Sequence, residues 1–230
     1  MTSVFTRGTD LVAALTDLLI CLAGALCALL GERRTGKPLR RRLTLLLFGL
    51  MSLDGLAGFA VHGLTFFVRS RKIYNTAWTV MNILLMSLGV PLAAGLLGET
   101  HSDSRRGRRA FLVLTAVWVV LSGVQLSGRL LGLGLIPVYV FVGFCLALAF
   151  GSAIYGIHLG QRTARWHLAA ILSGLCGGLA LICIPSSWSI SLGFPVDGVA
   201  ISHLFFLIFL ALYYRGFALE APQKNRMCRT

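Results

Sequence analysis

The chain has 230 residues, 57% of them hydrophobic and only 13% charged, with a mean hydropathy of +0.82. Polar groups are too few to cover the surface of a soluble domain of this length, so composition excludes one and points to an integral membrane protein. The net charge of +13 suggests nucleic acid, but the basic residues sit between apolar runs, as membrane topology demands, and no nucleic-acid partner is expected.

A spanning helix needs roughly 20 mostly apolar residues. Runs at about 10–31, 43–68, 74–97, 110–130, 134–157, 166–185 and 194–215 meet or approach this length. The expected class is all-α, a polytopic seven-transmembrane-helix bundle. It forms a single integral membrane domain over 1–230, ending in a short basic tail over 216–230.

The first run carries Asp17, and its Ala23-Gly24-Ala25 resembles a signal-peptide cleavage site. The run nevertheless continues to Leu30 and then meets "ERRTGKPLRRR", which favours a retained helix with its N-terminus outside. The second run contains "SLDGLAGFAVHG". There Asp54, Gly58 and His62 follow i, i+4, i+8 and so share one helix face. Asn82 lies in the third run and Gln125 in the fourth.

His158 and His167, at the inner ends of the fifth and sixth runs beside Arg162, Arg165 and Trp166, read as interfacial anchors. His101 falls in a polar loop. "GLCGG" in the sixth run is no phosphate loop, since no strand precedes it and no GK[ST] follows. The seventh run opens with Asp197, carries His203, and closes on Tyr213, Tyr214 and Arg215. It has no lysine, which argues against a retinal Schiff base.

Glycines within the runs (Gly49, Gly55, Gly58, Gly63, Gly174, Gly177 and Gly178) read as close helix contacts. Of six cysteines, Cys21, Cys27, Cys145, Cys176 and Cys183 read as small buried hydrophobes, and Cys228 as a weak candidate for palmitoylation.

Sixteen of the 21 Lys and Arg residues fall on one side of the seven-span arrangement: six over 33–42, four over 105–109, Arg162 and Arg165, and four from Arg215 onward. Arg7, Arg69, Arg71, Lys72 and Arg129 fall on the other. This asymmetry places the N-terminus outside or in a lumen and the C-terminus in the cytosol, in the plasma membrane or a secretory-pathway membrane.

With that orientation, Asp17, His62, Asn82, Gln125 and His203 all lie five to nine residues from the outer ends of their runs. At 1.5 Å per residue they share a layer about 10 Å below the outer surface, with Asp54 deeper. Ionisable groups at such depth are costly and usually face a bundle interior, so a polar cavity in the outer half is expected. Three uses of it stay open: mutual hydrogen bonding that fixes helix packing, a proton or solute pathway, and a metal site. In the last, His62, His203 and Asp197 are the candidate ligands of a zinc ion, and Asp54 and Asp17 the candidate catalytic carboxylates. Asp17 and Asp54 also qualify as the third ligand.

Seven helices, a histidine near the outer end of the second ("GLAGFAVHG"), polar residues in the third and a histidine in the seventh ("DGVAISHLFFLIFLALYYRG") resemble, in degenerate form, the superfamily of alkaline ceramidases and adipoQ-type receptors. The resemblance implies a zinc held by His62 and His203 and hydrolysis of a lipid amide such as ceramide. The family's second-helix serine falls on Gly58, its companion seventh-helix histidine on Val199, and its third-helix aspartate nearest to Asn82. Beside a metal-dependent lipid amide hydrolase stands a non-enzymatic receptor-like, solute-handling or structural seven-helix protein. The lipid bilayer is the expected partner in either case.

Overall fold

The computed structural model describes residues 8–32, 38–67, 71–100, 104–131, 136–184, 190–191 and 195–219. His101, Cys228 and the basic tail beyond Leu219 lie outside them, as do Arg7, Arg33, Arg34, Lys37 and Arg69 of the charge asymmetry. The helices are α1 (Gly8–Glu32), α2 (Pro38–Phe67), α3 (Arg71–Thr100), α4 (Ser104–Leu131), α5 (Ile136–His158), α6 (Arg162–Cys183) and α7 (Gly198–Leu219). A two-residue antiparallel pair, β1 (Ile190–Ser191) with β2 (Pro195–Val196), precedes α7. All seven helices are long and apolar enough to cross a membrane, so the expected all-α seven-helix class is observed.

Short connections make consecutive helices antiparallel. Arg40, Arg41 and Arg42, the arginines of 105–109, Arg162, Arg165 and Arg215 therefore gather at one end of the bundle, the basic end. Several helices extend past their apolar runs there. Pro38 opens α2, where a missing backbone N–H costs nothing, and α6 starts at Arg162 rather than at Trp166. Arginine stems lie along apolar surface while their heads reach outward, so a helix carries them beyond the run.

Outer faces are apolar, as a bilayer protein requires. Leu11, Leu15, Leu19, Leu22, Leu26 and Leu29 form a half-exposed row along α1, and Val113, Val117 and Val120 do the same on α4. Cys176 and Cys183 are also exposed, which corrects the buried reading of these two; a thiol on an outer helix face is apolar enough to sit there.

Between lipid-solvated helices there is no hydrophobic drive, so association rests on close packing and internal hydrogen bonds. Helix α1 packs on α2 through small residues: a methyl group at Gly55 would fall 2.7 Å from the Asp17 carbonyl oxygen and Cys21 nitrogen. Gly49, Gly63 and Gly178 have open space where a side chain would stand among the described residues, so only part of the glycine set marks contacts there. Ser173 of α6 donates to the Phe205 carbonyl of α7 at 2.8 Å, and the Trp118 indole of α4 to the Ile83 carbonyl of α3 at 3.2 Å.

Candidate functional site

The chain brings three ionisable side chains together in the half of the bundle remote from the basic end. Asp17 projects from α1, His62 from α2 and His203 from α7. The Asp17 Oδ1 lies 3.3 Å from His203 Nε2, and its Oδ2 lies 3.8 Å from His62 Nε2. One carboxyl thus stands between two imidazoles from two other helices. The two ring centroids are 6.2 Å apart with the planes nearly perpendicular, and the His62 and Trp78 rings, the latter on α3, meet edge to face with centroids 5.7 Å apart.

Gly58 makes this position available. A methyl group there would fall 2.6 Å from Cγ, Oδ1 and Oδ2 of Asp17, so the carboxyl lies directly on the bare α2 backbone. A side chain at 58 and a carboxyl at 17 compete for the same volume.

Thr16, which the sequence reading passed over, completes the cluster. Its Oγ1 is 2.8 Å from His203 Nδ1 and 2.9 Å from the carbonyl oxygens of Val12 and Ala13. Its single hydrogen can serve either the α1 backbone or the imidazole. If it serves the backbone, His203 Nδ1–H donates to Thr16, and Nε2 faces Asp17 with a lone pair unless a proton joins them. If it serves the imidazole, His203 Nε2–H donates to Asp17. Avoiding lone-pair repulsion puts a proton on the Nε2–Oδ1 line in both assignments. The one sequence signal for Thr16 was its place beside an intramembrane aspartate.

Of the other site candidates Asp54 is nearest, one turn from Gly58 toward the basic end and half-buried; its Oδ1 is enclosed and without a hydrogen-bond partner among the described residues. Asp17 Oδ2 also lacks such a partner, since His62 is beyond hydrogen-bond distance. The Asp197 carboxylate accepts the Ala200 amide at 3.0 Å, closing the first turn of α7. That is an N-cap, and it lies six residues before His203. Asn82 and Gln125 are buried on α3 and α4, but no described contact ties them to Asp17. Among the described residues no three His, Cys, Asp or Glu side chains are set to hold a metal ion.

His167 corrects its reading as an interfacial anchor, for it is fully buried. It fills a slot left by Gly216, where a methyl group would fall 2.6 Å from Nε2. Arg40 donates to that nitrogen at 3.4 Å, and the Tyr213 ring lies 4.8 Å away. His158 is exposed, as an end-of-helix position suggests.

No curated protein and no solved structure matches the chain. A protein-family profile, DUF6962, a family of unknown function, matches residues 12–221. With nearly its whole length matched, the chain belongs to the DUF6962 family.

Proposed function

We propose that this chain is a non-enzymatic, receptor-like seven-helix membrane protein in which Asp17, His62 and His203 form a proton-holding lock between α1, α2 and α7. The observation that carries this reading is the convergence of two imidazoles on one buried carboxyl that fills the Gly58 space. A carboxyl in lipid is costly without a partner, so any displacement of α7 from α1 must break this cluster or carry its proton along.

Lipid amide hydrolysis is the second reading, favoured by one observation: the second-helix and seventh-helix histidines do converge. Among the described residues no three side chains are set to hold the zinc it implies: Val199 stands where the resembled family has a histidine, and Asp197 caps a helix.

The test compares purified wild-type protein with His62→Ala for zinc content and for turnover of a ceramide-like substrate. The receptor-like reading expects no stoichiometric zinc and no turnover, with a lower melting temperature in the variant. Stoichiometric zinc, or turnover abolished in His62→Ala, would overturn it in favour of hydrolysis.

A further inference from the structure

At the basic end, the turn from α5 to α6 opens onto a groove of about 700 Å³. Gly160, with φ +73, reverses the chain in a left-handed conformation that favours glycine. Arg162 and Arg165, both exposed, line the groove with Gln161 and Trp166, while Ile157 and Leu219 supply apolar surface. No acidic residue lines it among the described residues. The Arg215 guanidinium stands 5.7 Å from the Trp166 ring, so a third arginine braces the indole at the groove's edge.

One further feature specifies what fits. The apolar surface continues away from the basic end along exposed Ile154 and Leu172, one turn from Ile157 and from Ala169 of the groove wall. Two cations and an apolar track leading into the bilayer match a molecule with a phosphate and an acyl chain. The volume falls within the roughly 300–1,000 Å³ of ligand clefts.

We propose that the groove between α5, α6 and α7 at the basic end binds an anionic phospholipid. Arg162 and Arg165 hold its phosphate, and Ile157 and Leu219 receive the start of an acyl chain. Charge complementarity selects the occupant: positive charge gathers at the cytosolic side of membrane proteins, where the leaflet carries anionic lipid.

Native mass spectrometry of the full chain in detergent tests this, with phosphatidylinositol, phosphatidic acid and phosphatidylcholine added in equal amounts. Both anionic lipids are expected to be retained well above phosphatidylcholine. The double variant Arg162→Gln/Arg165→Gln should lower their retention roughly thirty-fold, the two arginines together contributing about 2 kcal/mol. Arg108→Gln/Arg109→Gln, which removes equal charge from the same end, should change little. Circular dichroism of each variant confirms that it is folded. Equal retention of all three lipids by the wild type, or equal loss in both double variants, overturns the proposal. Displacement of the lipid by millimolar inorganic phosphate shows a site for free anion and overturns it as well.

Discussion

Gly58 of α2 and Asp17 of α1 occupy one volume: a methyl group on the glycine would stand 2.6 Å from both carboxylate oxygens. Gly58→Ala therefore has to displace the carboxyl from between the two imidazoles. Overpacking of this kind costs about 1–3 kcal/mol, and the variant should melt at a lower temperature in detergent. The same change in an Asp17→Ala background should cost clearly less, because the competing group is gone. Gly63→Ala on the same helix, with nothing within 4 Å among the described residues, is the control and should show no such loss, only the small gain that alanine brings to a helix. Equal destabilisation by Gly58→Ala in both backgrounds would mean that the carboxyl is not the obstacle.

The two histidines should not couple equally to Asp17. His203 is closer, at 3.3 Å against 3.8 Å, and its other ring nitrogen is held by Thr16 at 2.8 Å. Double-mutant cycles of Asp17→Asn with His203→Gln and with His62→Gln measure the difference. Groups in direct contact couple by roughly 0.5–3 kcal/mol, and the His203 cycle is expected to give the larger value. Thr16→Val, which keeps the shape and removes the hydroxyl, should weaken that coupling and leave the His62 cycle nearly unchanged. A His62 coupling as large as that of His203 would contradict this ranking.

How far the site could be read from sequence follows from what span-counting measures. Counting residues from a span end gives depth, and depth correctly put Asp17, His62 and His203 in one half of the bundle. It gives no azimuth. That Asp17 rather than Asp197 meets the histidines depends on α1 lying against both α2 and α7, which no periodicity within a single helix reveals. Helix limits were approximate for a related reason. Apolar runs mark lipid, while caps and basic first turns set the helix ends, so α6 begins at Arg162 and α7 only after Asp197. His167 was misread because its depth matched an anchor, whereas the slot that buries it is made by Gly216 on another helix.

That slot gives a separate stability test at the basic end. In Gly216→Ala the added methyl would press on His167 Nε2 at 2.6 Å and on Trp166 Cβ at 3.1 Å, pushing the imidazole off Arg40. Backbone entropy alone favours alanine over glycine in a helix by about 0.5–1 kcal/mol. Gly178→Ala, with open space around it, should show that gain. Gly216→Ala should instead lose on the order of 1–3 kcal/mol, read as a drop in melting temperature. A stabilised Gly216→Ala protein would mean that His167 yields freely and that its contact with Arg40 holds nothing in place.

Asp197 separates a capping role from a ligand role by a conservative change. Its carboxylate accepts the Ala200 amide at 3.0 Å, and its own carbonyl accepts the Ile201 amide at 3.0 Å, the pattern of a residue that starts a helix. Asparagine caps helices about as well as aspartate, whereas alanine leaves the amide without its acceptor at a cost of about 0.5–2 kcal/mol. Asp197→Asn should therefore match the wild type in melting temperature, and Asp197→Ala should fall below it. A metal-ligand role makes a different demand, since a neutral amide is a far poorer ligand than a carboxylate for zinc. Added zinc should thus raise the melting temperature of wild type and of Asp197→Asn by the same small amount or not at all. A zinc-induced rise in the wild type that disappears in Asp197→Asn would assign the carboxylate to a metal and refute the cap as its whole role.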